Sequence, residues 1–149
     1  MPERQLLGFE DLECYQLGRA VFREAYRVAA LLPPIEKYNL ADQLRRAATS
    51  LVLNIAEGYG RYHYLDSLRF YYIARGSMME VLSALIACDD LCYTAQQVSA
   101  QREICHQALR SLNGYIRYVR ERQQGAQEYG SHAIKEEPAS YSTSELTFD

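Results

Sequence analysis

The chain has 149 residues, 48% of them apolar, which suits one domain with a buried core and excludes a chain that is disordered throughout. Its formal net charge is −3, so the composition lacks the strong positive charge of a typical nucleic-acid-binding domain. The sequence has no run of about 18 apolar residues that would span a membrane and no apolar secretory segment after Met1. We therefore expect a cytoplasmic protein with reduced cysteines and no membrane partner.

Two helices are predicted in the first part of the chain. The first covers residues 9–32 and ends at Pro33-Pro34, because the residue before a proline disfavours helical backbone. The second covers residues 40–57, with Asn39 as its N-cap and Gly58 as a left-handed terminator.

Two longer helices are predicted in the second part. The third covers residues 64–91 and carries two adjacent apolar stripes, so it either lies centrally in its bundle or also contacts another subunit. Gly76 lies in its middle and indicates a close approach of another helix. The fourth covers residues 96–123.

The order of the helices predicts an all-α fold, an up-down-up-down four-helix bundle over residues 9–124. Residues 1–8 form a short extension. Residues 125–149 carry one lysine against five acidic residues and show no periodicity, so they are expected to form a disordered acidic tail.

Three segments carry a family resemblance: Phe9-Glu-Asp-Leu12, the stretch from Tyr38 to Arg61 that includes Asn54-Ile-Ala-Glu-Gly-Tyr-Gly-Arg61, and Phe70-Tyr-Tyr-Ile-Ala-Arg-Gly-Ser77 with Glu80. The chain resembles, over roughly residues 8–122, the bacterial four-helix-bundle proteins encoded in 23S rRNA intervening sequences. The same superfamily includes the accessory variability determinant of diversity-generating retroelements.

The resemblance implies a homo-oligomer, with a ring-shaped pentamer favoured. In the retroelement branch it also implies a basic barrel that binds RNA or DNA and a reverse transcriptase. The acidic tail and the near-neutral bundle of this chain depart from that basic pattern.

A polar network is expected between the second and third helices. Arg75 lies among apolar residues of the third helix, where an unpaired guanidinium would be costly. Glu57 is its first candidate partner, and Asn54 follows on the same polar stripe. This network is interpreted as a structural one that fixes helix register, with a surface facing a channel or partner as the alternative.

Arginine supplies 14 of the 16 basic residues, and it pairs with phosphate and stacks on aromatic rings, of which the 13 tyrosines offer many. The candidate nucleic-acid contacts are Arg45, Arg46, Arg61, Arg69, Arg110, Arg117, Arg120 and Arg122. The alternative is a solvated helix face, with the last three arginines interacting favourably with a helix C-terminus.

No catalytic or metal motif is recognised. The spacing of Cys88, Cys92 and Cys105 matches no zinc site, so these are interpreted as core thiols. None of the three histidines lies in a nucleophile motif. We expect no enzyme, no cofactor and no metal.

Two hypotheses of function remain. The first is a non-catalytic oligomeric bundle that binds nucleic acid, as an accessory subunit of a retroelement reverse transcriptase. The second is a structural or interaction scaffold of the intervening-sequence type that does not contact nucleic acid.

Overall fold

The computed structural model describes residues 8–94 and 98–123. Its four long helices are α1 (Glu13–Leu31), α2 (Leu40–Tyr59), α3 (Tyr64–Asp90) and α4 (Ser99–Gln123). Short 3-10 turns, Gly8–Asp11 and Pro34–Glu36, precede α1 and α2. The tail predicted over residues 125–149 and most of the extension predicted over residues 1–8 lie outside the described residues.

The four helices form an all-α bundle, and the described residues contain no strand. Each helix contacts the next one along the chain, and α1 also contacts α4, which closes the bundle. Apolar side chains of all four helices form one buried cluster. The prediction of a four-helix bundle is therefore confirmed.

The beginning of α1 differs from the prediction. The sequence predicted one helix from Phe9, whereas the structure has a 3-10 turn over Gly8–Asp11. Leu12 then has extended backbone, with φ −69° and ψ 127°, and α1 begins at Glu13. An extended residue cannot continue a helix, so the first turn is separate from α1.

Gly58 does not end α2, so that prediction was wrong. Gly58 is buried inside the helix, which continues to Tyr59, and Gly60 caps it with φ −77°. A Cβ atom placed on Gly58 would lie 2.5 Å from Cε1 of Tyr71 and 3.0 Å from the carbonyl oxygen of Ser67. The glycine therefore allows α3 to approach α2 closely.

The N-terminus of α2 is capped by a residue that the sequence did not indicate. Asn39 occupies the N-cap position, but its side chain makes no capping bond. The carboxylate of Glu36 instead accepts the backbone N–H of Leu40 at 3.1 Å and the side-chain amide of Asn39 at 3.0 Å. Its other oxygen accepts the hydroxyl of Tyr93 at 2.8 Å, which joins the α1–α2 loop to the loop after α3.

A similar carboxylate lies at the beginning of α4. Oδ1 of Asp89, near the end of α3, accepts the backbone N–H of Val98 at 3.0 Å. Oδ2 lies 3.7 Å from Nη1 of Arg102, one turn into α4. Orphan N–H groups at the first turns of both helices are thus satisfied from outside those helices.

The Glu36 carboxylate should make folding stability depend on acid. Its hydrogen bond from Tyr93, with that from Leu40, lowers the pKa of Glu36 below the ordinary 4.5. A depressed folded-state pKa stabilises the protein above the unfolded-state pKa, and this stabilisation is lost as the pH falls through the folded-state value. Glu36→Gln should therefore lower the melting temperature at pH 7, and the difference from wild type should shrink below pH 4.5. The measurement is thermal unfolding by circular dichroism across that pH range.

Tyr93→Phe is the matched variant for this test. It keeps the carboxylate but removes its shortest hydrogen bond, so it should show a smaller loss at pH 7 with the same direction of pH dependence. A melting-temperature difference for Glu36→Gln that stays constant from pH 7 to acid would contradict the assignment.

Most of the two apolar stripes of α3 is buried between α2 and α4. The fully buried side chains of α3 include Tyr71, Met78 and Leu85. Gly76 lies outside this packing, because nothing approaches within 4 Å of a Cβ atom placed on it. The close helix approach predicted at Gly76 was therefore wrong, and it occurs at Gly58 instead.

Candidate nucleic-acid interface

The structure divides the candidate arginines between the two ends of the bundle. Because the helices alternate in direction, the α2–α3 turn, the first half of α3 and the end of α4 lie at one end. The five candidates at that end are Arg61, Arg69, Arg117, Arg120 and Arg122. Arg45 and Arg46 lie in the half of the bundle that contains the α1–α2 loop, and Arg110 lies midway along α4.

A groove lies on the outer side of the first half of α3. It has a volume of about 450 Å³ and is lined by Leu65, Leu68, Arg69, Tyr72 and Ile73. Leu68 is buried and Tyr72 is half-buried, whereas Arg69 is exposed at the rim. We call these five residues the α3 groove. Its apolar lining and charged edge suit a ligand with a flat apolar part and an anionic part.

Two arginines fix the ring of Tyr72 in this groove. The guanidinium carbon of Arg75 lies 5.0 Å from the ring centroid, within cation–π range. Arg120, on α4, donates from Nη1 to the hydroxyl of Tyr72 at 3.1 Å. Tyr72 therefore holds two positive groups beside the groove.

Two more arginine–aromatic pairs lie at the same end of the bundle. Arg61 lies 4.6 Å from the ring centroid of Phe70 and also pairs with Glu57. Arg122 lies 5.0 Å from the ring centroid of Tyr118, which is 51% exposed. The end of the bundle thus presents guanidinium groups beside aromatic rings on more than one face.

The charge of the α3–α4 hairpin changes along its length. Residues 64–75 and 111–123 contain five arginines against two carboxylates, whereas residues 76–110 contain two arginines against four carboxylates. The acidic residues Glu10, Asp11 and Glu13 also lie at the basic end, but on α1 and the turn before it. The excess of arginine at this end therefore lies on α3 and α4.

The other three candidate arginines have local partners. Arg45 donates to the backbone carbonyl of Lys37 at 3.1 Å. Arg46 pairs with Asp42 at 3.6 Å, and Arg110 pairs with Glu103 at 3.3 Å. A second groove of about 430 Å³ is lined by Tyr26, Asp42, Arg45, Arg46, Thr49, Ser50 and Leu53, and Asp42 offsets the charge of one of its two arginines.

The polar network predicted between Asn54, Glu57 and Arg75 was wrong, because each of these residues has a different partner. Glu57 pairs with Arg61 in the turn after its own helix. Asn54 donates to the carbonyl and hydroxyl oxygens of Ser50. Arg75 is directed toward α4, where it donates to Oδ1 of Asn113 at 3.5 Å.

The register of α2 against α3 explains this difference. The hydroxyl of Ser50 lies 2.7 Å from that of Ser77, and Gly58 lies against Tyr71. Glu57 is consequently about one helical turn from Arg75 along the bundle axis. Glu57 is also 51% exposed, so it needs no buried partner.

Three of the four cysteines are buried thiols. Burial raises the pKa of Cys14 and Cys105 to about 12 and that of Cys88 to about 11, so these thiols stay protonated near neutral pH. Cys92 differs from the prediction, because it follows the end of α3 and is exposed. Across residues 8–94 and 98–123, no three His, Cys, Asp or Glu side chains lie together as a metal site.

Tyr72 and Asn113 are the residues of the site that the sequence reasoning missed. Tyr72 was assigned to an apolar stripe, and Asn113 was not singled out. The spacing of Tyr72 and Arg75, three residues apart on one helix, was the available signal for their contact.

Comparison with known proteins gives one family. A family model described as 23S rRNA-intervening sequence protein matches residues 10–114. A search of curated proteins returned no match. In the described part of the chain, every helix is too short or too polar to cross a membrane.

Proposed function

Because the chain belongs to the 23S rRNA-intervening sequence protein family, we propose that it is a non-catalytic bundle that binds nucleic acid through the α3 groove and its surrounding arginines. The observation that supports this most is the position of Tyr72 between Arg75 and Arg120, beside the exposed Arg69. Guanidinium groups bind phosphate oxygens, and aromatic rings contact bases.

The distribution of charge supports the same surface. Nucleic acid carries closely spaced negative charge, and each phosphate contact releases counterions. The arginine excess in residues 64–75 and 111–123 would attract such a ligand, although the whole chain is acidic. Nucleic acid should therefore bind at this end of the bundle, and its affinity should fall as the salt concentration rises.

The proposal predicts a salt-dependent affinity that two substitutions reduce. The double variant Arg69→Gln/Arg120→Gln should lower the slope of log K against log salt by about 2, because each lost phosphate contact lowers it by about 1. The measurement is fluorescence anisotropy with a labelled oligonucleotide between 50 and 200 mM salt, which are roughly the conditions where such contacts act.

Arg46→Gln/Arg110→Gln is the matched control, because it removes the same charge from arginines paired with carboxylates elsewhere. It should leave the slope near that of the wild type. A truncation after residue 124 separates an effect of the acidic tail from that of the bundle. If neither the full chain nor the truncation binds RNA or DNA at low salt, nucleic-acid binding is excluded.

The second candidate function is a self-associating scaffold without nucleic-acid contact. The turn between α1 and α2 exposes large apolar side chains: Leu31 is 64% exposed, Ile35 81% and Tyr38 85%. Exposed apolar groups concentrated in one segment are typical of protein interaction sites. Light scattering on the sample used for anisotropy gives the molar mass of the particle in solution. The scaffold function requires a mass of more than one chain, so a monomer would contradict it.

We also propose a ring-shaped homopentamer, a cytoplasmic location and, in the retroelement variant of the function, a reverse transcriptase partner. These parts follow the resemblance of the chain to its superfamily. A reverse transcriptase gene beside the gene for this chain would favour the retroelement role, and a position within an rRNA operon would favour the other.

A further inference from the structure

We propose that the nucleic acid is single-stranded and that one unpaired base enters the α3 groove and contacts the ring of Tyr72. This inference rests on the proposed nucleic-acid binding and specifies the class of ligand. The groove, the orientation of Tyr72 and the placement of the arginines each contribute to it.

The groove has the size and lining for a base. It is an open depression on one face of α3, and its volume of about 450 Å³ exceeds that of a nucleobase, so a base could lie against it without being enclosed. Its lining includes the side chains of Leu65, Leu68 and Tyr72. A base within a duplex is paired and stacked, so only an unpaired base can use an apolar lining of this kind.

Tyr72 is oriented before a ligand binds. The cation–π contact with Arg75 and the hydrogen bond from Arg120 hold its ring and its hydroxyl. A side chain that is already fixed loses little rotamer freedom on binding. Stacking on this ring would therefore be less costly than stacking on an unrestrained tyrosine.

The charged groups are placed beside the apolar lining. Arg69 is exposed on the rim of the groove, and Arg120 approaches it from α4. A base in the groove would leave its flanking phosphates near these guanidinium groups. An apolar floor with basic edges is the arrangement by which single strands are bound with little dependence on sequence.

The test compares single-stranded and duplex oligonucleotides of the same mixed sequence by fluorescence anisotropy. The wild-type protein should bind the single strand at least about tenfold more tightly than the duplex. Tyr72→Ala should weaken single-strand binding about tenfold, the usual effect of losing one base–aromatic stack, and leave duplex binding within about twofold. RNA and DNA versions of each probe show which sugar is preferred.

Three controls separate loss of the ring from loss of the fold. Tyr26→Ala, in the second groove, should leave both affinities unchanged. An abasic single strand requires no substitution, and the wild type should bind it about as weakly as the duplex. Tyr72→Phe should retain the single-strand preference, because the ring remains.

Each outcome decides one proposal. Equal affinity for single strand, abasic strand and duplex, with Tyr72→Ala weakening all of them alike, would overturn the single-strand inference and leave nucleic-acid binding intact. Absence of binding to every probe at low salt would instead overturn the proposed function.

Discussion

Gly58→Ala should lower the free energy of unfolding by about 2 kcal/mol, because the added methyl group has no space. Its Cβ atom would meet the buried ring of Tyr71 at 2.5 Å and the backbone of Ser67 at 3.0 Å. Tyr71 cannot simply turn aside, since its ring also contacts that of Tyr115 at a centroid distance of 5.2 Å. Chemical denaturation monitored by circular dichroism measures the effect.

Gly76→Ala is the matched control, since it is also a glycine-to-alanine change inside a long helix. The space around Gly76 is open, so alanine should raise the free energy of unfolding by about 1 kcal/mol through helix propensity alone. Opposite signs at the two positions are the expected result. A stabilising effect of Gly58→Ala would show that α2 and α3 are not in the close contact described.

Leu51→Ala should lower the free energy of unfolding by about 3 kcal/mol. Leu51 is 0% exposed in the middle of α2, so its truncation removes buried apolar surface and leaves a cavity. Denaturant titration gives the value, with the slope of the titration showing whether the unfolded state has changed.

Leu53→Ala is the control for this prediction, because the same residue type two positions along α2 is 61% exposed. It should change the free energy of unfolding of a single chain by less than about 0.5 kcal/mol. Similar losses at both positions would mean that the face of α2 bearing Leu53 is covered by another chain.

The bundle was predictable because its signals are local and repeated. Helical spacing of apolar residues recurs over many turns, and Pro33 and Pro34 end α1 whatever packs around it. Glycine was the weakest signal, because glycine occurs both at helix ends and where two helices approach closely. Only the position of Tyr71 on α3 shows that Gly58 lies at a close helix contact.

The candidate site was only partly predictable. The arginines were selected by composition, but their partners depend on which helix faces which. Arg75 and Asn113 lie on different helices and meet only through the packing of α3 against α4. The predicted Glu57–Arg75 ion pair was wrong for the same reason. The positions of polar residues along each helix do not determine the register of one helix against the other.

The Glu36–Tyr93 hydrogen bond has a consequence for how the bundle opens. The chain consists of two helical hairpins, α1–α2 and α3–α4, each of which is continuous in sequence. Glu36 belongs to the turn of the first hairpin and Tyr93 to the turn of the second. Separation of the hairpins at this end must break that bond, whereas the bond from Leu40 to the same carboxylate stays within the first hairpin. The carboxylate that caps α2 therefore also couples the two hairpins at the end away from the α3 groove.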